Sequence, residues 1–367
     1  MVGRSSPEAT LSRSPVSSER LAPPRATVIV VRDDDTSPTG LVSALVGTLD
    51  GGSGPAPFDV QITEALRPDA SLDDGVTAVV RAIRASGAPR WLLAASGSDV
   101  RVVAETAARI LSGEAGVFGL AGLVVSEAVP PHQAPGVPTL VLDDTTTPSA
   151  AVDAVAVFWR DRAGLGPTMS SDFAEVIAST RTSPQTRALL ARRALADDPD
   201  RRPEVLTATQ LDTLRLVADL VVPQRAPRPG AAIDLAARID ADQNLGKSDG
   251  WRNAALPPDI EAYRRGLDAL ADLHLLGLDE QRSRVQAIID GDFEAPDGRM
   301  SADQMQLWFE DARVDLVRAW LAHPATMERI GFDGFANGGP GGAMFQGYDL
   351  LGADRREQWE PTMEVVR

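Results

Sequence analysis

A chain of 367 residues with 36 basic and 52 acidic side chains carries a net charge of −16, which opposes a nucleic-acid backbone, and no local basic stripe offsets it. Hydrophobic residues make up 43% and charged residues 24%, so the chain can build real cores, and its length favours two domains of about 150 residues. The absence of cysteine excludes disulfides, thiolate zinc sites, iron–sulfur clusters and a cysteine nucleophile. The three histidines, His132, His274 and His323, are too scattered for a multi-histidine metal site.

Residues 1–24 are rich in Ser, Pro and Arg, contain no apolar run of signal-peptide length and hold no twin-arginine pair. The expectation is a disordered tail on a cytoplasmic protein. No apolar stretch approaches the 18 residues of a membrane span.

Residues 25–166 alternate short β-branched runs with amphipathic stretches. Ala26–Val31, Phe58–Ile62, Trp91–Ala95, Leu120–Val125 and Pro138–Leu142 read as five strands bounded by Gly, Pro and Asp. Asp73–Arg84, Asp99–Leu111 and Ser149–Arg162 carry apolar residues at helical spacing. This order predicts an α/β domain with a shortened, doubly wound parallel sheet. No Gly-x-Gly-x-x-Gly follows the first strand, so a dinucleotide fingerprint is lacking. Asp33, Asp34 and Asp35 offer hard oxygen atoms to a divalent cation, but three consecutive loop carboxylates also suit plain solvation, and no metal site is assigned.

The third strand leads into Leu92-Leu-Ala-Ala-Ser-Gly-Ser-Asp-Val-Arg-Val-Val-Ala104, which resembles the nucleophile elbow of α/β-hydrolases with Ser98 at the nucleophile position. The resemblance implies an acid after a later strand, where Asp143 or Asp144 stands, and a histidine near the domain's end. Ser149–Gly166 holds none, and His132 precedes the acid, so the expected triad is incomplete. Val100, two residues after the serine, is also a β-branched residue where the elbow needs a small one. The region therefore reads as a degenerate hydrolase-like domain. Its catalytic alternative is an esterase or lactonase using Ser98.

From residue 167 the periodicity becomes helical, with helices expected around Thr186–Leu195, Ala231–Asp240, Leu211–Val221, Ile260–Leu275, Ser283–Ile289 and Gln304–Leu321. Leu245-Gly-Lys-Ser248 looks like the end of a phosphate-binding loop, but Ala241 stands where its first glycine belongs. Residues 167–367 are expected to form a mainly helical accessory domain. His323 precedes a proline that should end the last long helix. Beyond it, six glycines lie between Gly331 and Gly342, interleaved with and followed by Phe332, Phe335, Phe345, Tyr348 and Trp359. Such a Gly-rich segment cannot pack a core of its own, and aromatic anchors on it suit a partner's surface.

Thr209–Gln224, Pro229-Gly-Ala231, Asp240, Gly250-Trp-Arg252, Tyr263-Arg-Arg-Gly-Leu267, Gln286–Gly291, His323-Pro324 and Ile330-Gly-Phe-Asp-Gly334 follow one another in order. This succession resembles the gluconate 2-dehydrogenase subunit 3 family, small subunits of flavin-dependent sugar and alcohol dehydrogenases. The resemblance implies a hetero-oligomer in which a large subunit of the glucose-methanol-choline oxidoreductase type holds FAD and performs the oxidation. This chain would bind no cofactor and hold no catalytic residue. Its expected interface residues are His323, Ile330, Phe332, Asp333, Phe335, Asn337, Phe345, Tyr348 and Trp359. Many members carry a twin-arginine signal, which residues 1–24 lack, and the hydrolase-like domain in front is a further departure.

Overall fold

A computed structural model describes residues 25–31, 41–47, 58–63, 70–143, 145–224, 230–247, 254–296 and 298–332. The expected N-terminal tail, Asp33–Asp35, Asp144, Gly250–Arg252 and the glycine–aromatic segment beyond Phe332 lie outside these residues.

The five expected strands form one parallel sheet: β1 (Ala26–Val30), β2 (Phe58–Ile62), β3 (Trp91–Ala95), β4 (Leu120–Val125) and β5 (Thr139–Val141), in the order β2-β1-β3-β4-β5. Alternation along the strands sends two sets of side chains to opposite faces. Val28, Val30, Leu92, Ala94 and Val124 meet α1 (Leu41–Gly47) and α4 (Pro148–Phe158) in one core. Ile29, Val31, Leu93, Ala95 and Val125 meet α2 (Leu72–Ser86) and α3 (Val100–Leu111) in the other. Helices on both faces explain why β3 and β4 are buried at every residue and read as unbroken apolar runs.

Helix α2 starts at Ser71, whose hydroxyl accepts from the Asp74 N–H while Asp74 reaches back to the Ser71 N–H, a capping box. Helix α1 was not legible in the sequence, because seven residues with Leu41, Val42 and Leu45 buried do not establish a period. The expected Asp99–Leu111 helix opens with a 3₁₀ turn, Gly97–Asp99, and Ser149–Arg162 ends in a π-helical turn, Trp159–Ala163.

Packing on the α/β core continues past residue 166. Phe173, Ala174 and Ile177 of α5 (Ser171–Ala178), with Leu190 and Ala191 of α6 (Pro184–Arg193) and Leu195, complete the α2/α3 core. Arg187 ties these helices down, donating to the Gly113, Ser179 and Thr182 carbonyls at 2.8, 2.9 and 3.1 Å. The second core begins at Leu206.

That core is built by α7 (Ala208–Val221), α8 (Leu235–Asn244), α9 (Asp259–Asp268), α10 (Leu278–Ile289) and α11 (Ala302–Leu321). No strand follows β5 among the described residues. The helix expected at Ala231–Asp240 begins four residues later, where Asp234 caps the Ala237 N–H. The one expected over Ile260–Leu275 ends at Asp268 and is followed by a 3₁₀ turn, Leu273–Leu275.

Pro324 ends no helix itself. Helix α11 stops at Leu321, and Pro324 opens α12 (Pro324–Arg329), where its fixed φ suits the first turn and its missing N–H is no loss. No helix among the described residues is long and apolar enough to cross a membrane.

Candidate functional site

The strand order puts the reversal of winding between β1 and β3, so a ligand of such a sheet would lie at the carboxyl edge beside the β3–α3 turn. There the chain leaves Ala95 through Ser96 and Gly97. Gly97 has φ 56°, a left-handed conformation open to glycine at little cost, and its N–H donates to the Ser126 hydroxyl at 3.0 Å. Ser98 is exposed and lies inside the 3₁₀ turn, and Asp99 is buried. The left-handed residue thus precedes the serine, whereas a nucleophile elbow holds the serine itself at the strained corner.

Asp143 lies beyond the end of β5, on the same edge. Its carboxylate accepts the Thr145 N–H at 2.9 Å and the Thr145 and Thr146 hydroxyls. The Thr145 hydroxyl first, then its N–H and the Thr146 hydroxyl, hold this exposed acid below the usual aspartate range. One of its oxygens, Oδ1, takes all three bonds in the turn that leads into α4. His132 is exposed on the β4–β5 connection. No hydrogen bond among the described residues joins Ser98, His132 and Asp143. No group of three or more His, Asp or Glu suited to a metal occurs among those residues either.

A further polar constellation lies where the two cores meet. Arg90, just before β3, donates to the Ala163 and Gly164 carbonyls at 2.8 and 3.4 Å and lies over the Trp159 ring. From α8, Arg238 pairs with Asp197 at 2.7 Å and donates to the Arg193 and Leu195 carbonyls. His323 caps α12, its Nδ1 accepting the Ala325 N–H at 3.1 Å, so the proton of the neutral ring is on Nε2. Burial above all, then the Arg238 and Arg90 guanidinium groups, push the imidazole well below the ordinary histidine value. Helix α12 in turn reaches the α/β unit: Met327 packs on its core, and Glu328 accepts the Ser170 N–H at 3.0 Å and the Ser170 hydroxyl.

His323, expected on a partner surface, is therefore interior, at 2% exposure. Ile330 and Phe332 are exposed, at 51% and 45%. Asp333, Phe335, Asn337, Phe345, Tyr348 and Trp359 lie outside the described residues. Several positions of the ordered motifs are load points of the helical core. Asp240, wholly buried, accepts the N–H groups of Glu204, Val205 and Leu206, and the Tyr263 hydroxyl donates to Asp315 at 2.7 Å.

Sequence reasoning missed Arg90, Arg238, Ser170 and Glu328. The two arginines bond largely to carbonyls, which leave no side-chain pattern to find. A groove of about 380 Å³ lined by Ile83, Arg84, Val117, Phe118, Ala174 and Glu175 opens between α2 and α5. It borders the residues preceding β3 and β4, on the amino edge of the sheet and away from Ser98 and Asp143. No protein family, curated protein or solved structure matches the chain.

Proposed function

We propose that this chain is a non-catalytic small subunit of an FAD-dependent oxidoreductase complex that oxidises a sugar, glycoside or other alcohol. Its partner is a large cytoplasmic subunit of the glucose-methanol-choline type, which holds FAD and the catalytic base. The observation that carries this reading is the exposure of Ile330 and Phe332 where α12 runs into the glycine–aromatic sequence, since large apolar side chains leading into a segment unable to form its own core suit a second protein. The placement of His323 and Asp143 agrees with it, each being engaged in holding a turn or helix start.

Co-expression tests the proposal. The large subunit is expected to be insoluble or flavin-poor alone and to co-purify with this chain as a yellow complex. A large subunit that is soluble, flavin-loaded and fully active alone would end the reading. Deletion of Phe332–Tyr348 should loosen the complex while leaving the α/β unit folded.

A second reading rests on Ser98, which is exposed on the carboxyl edge directly after the central strand β3, as in a shortened hydrolase-like domain. An esterase or lactonase of this kind would lose turnover in Ser98→Ala. A folded chain inactive on every activated ester eliminates it.

A further inference from the structure

Helix α12 is a six-residue clasp between the two cores, and the side chain that starts it is titratable. At its start α12 continues from α11 through His323, whose ring caps the Ala325 N–H two residues on; at its end Met327 packs on the α/β core and Glu328 accepts from Ser170. A short helix gains little from its own hydrogen bonds, so its persistence depends on such end contacts. The cap works only while Nδ1 has a free lone pair. Protonation turns that acceptor into a donor aimed at another donor, and the bond to Ala325 is lost.

The surroundings also disfavour a charged ring. His323 and its neighbours Pro324, Ala325 and Thr326 are buried. The charged groups acting on the imidazole from the elements around it are both cationic: Arg238 of α8 and Arg90 ahead of β3. The acid of that network, Asp197, is already engaged by Arg238 and by the Asp234 N–H. On the neighbouring last turns of α11, Asp315 is engaged by Tyr263 and Arg318. On α12 itself Glu328 is engaged by Ser170.

We propose that His323 is an acid-released latch: α12 joins the two cores while the imidazole is neutral, and a proton on the ring unfastens α12 and the chain that follows it. The inference does not rest on the oxidoreductase reading and holds whatever partner the chain has.

The sign follows from linkage. Burial and the two arginines depress the pKa of the clasped state, whereas the released ring returns to about 6.5. The released state therefore binds the proton more readily. The clasp is at full strength above about pH 6.5 and weakens by up to about tenfold per pH unit below it, until the clasped ring itself titrates.

Hydrogen–deuterium exchange on the full chain between pH 7.5 and 5 tests this, read as protection factors so that the intrinsic pH dependence of exchange cancels. Amides 325–331 are expected to lose protection towards pH 5 while those of α3 and α11 keep theirs. His323→Asn retains an oxygen that can cap α12 but has no proton to gain, and should make protection of 325–331 independent of pH. Flat protection in the wild-type chain would overturn the latch, as would an equal loss throughout α3 and α11 or an unchanged pH slope in His323→Asn. If that variant does not fold, ring-proton titration of the three histidines decides. One of the three is expected to titrate in step with the loss of protection at 325–331, and a His323 that titrates near 6.5 with α12 still protected would refute the proposal.

Discussion

Gly266 of α9 lies directly beneath the indole of Trp308 on α11, so close that a β-carbon on Gly266 would stand 2.3 Å from the ring. The contact lets two helices approach more closely than any side chain at 266 would permit, and it seats Trp308 edge-on to Tyr263 with ring centres 6.1 Å apart. Gly266→Ala gains helix propensity of about 1 kcal/mol but forces the indole out of a buried site. The clash should dominate, with a net loss of about 2 kcal/mol. Urea unfolding checks it: the midpoint should fall in Gly266→Ala, and the added substitution Trp308→Leu should cost less than it does in the wild-type chain, because the two sites are coupled.

A second prediction concerns Asp240, which takes three backbone N–H groups from the stretch leading into α7. These donors belong to a loop with no ladder of its own, and burial leaves no water to replace the carboxylate. Asp240→Ala is expected to destabilise the helical unit by about 3 kcal/mol. Hydrogen exchange at Glu204, Val205 and Leu206 should rise first. Unchanged protection there would show that the carboxylate is dispensable.

Much of the α/β unit was legible because its strands are apolar runs cut off by Gly, Pro and Asp, a contrast that survives without any knowledge of neighbours. The same local reading found α2, α3, α7 and α11, whose apolar positions repeat over several turns. It missed α1, α5 and α12, which are six to eight residues long and owe their existence to the core they complete. The packing of α5 and α6 on the first core leaves no mark in the periodicity. The candidate sites show the same division. Ser98 and Asp143 were found by residue type and position along the chain. The β3–α3 backbone that puts the left-handed corner at Gly97, and the turn that occupies Asp143, arise from conformation that residue spacing does not encode. His323 was visible as a residue before proline. Its burial was not, because the arginines around it come from distant parts of the chain.

The last prediction uses the chain's small tyrosine count. Tyr263 and Tyr348 are the only two tyrosines. Tyr263 is buried and donates its hydroxyl to Asp315, and burial first, then the Asp315 charge and that hydrogen bond, raise its pKa well above the ordinary value. In the unfolded chain the same phenol ionises near pH 10. Between that pH and the folded-state pKa the native protein holds a proton the unfolded chain has lost, so stability is fully present below about pH 10 and declines as pH rises further. Ultraviolet titration should therefore resolve a phenolate step that appears only together with unfolding. Tyr263→Phe should abolish that step and cost about 1–2 kcal/mol at neutral pH, because the Asp315 carboxylate loses its donor while the ring remains packed on Trp308. A Tyr263 that ionises reversibly near pH 10 with the fold intact would contradict the hydrogen-bonded, water-free setting assigned to it.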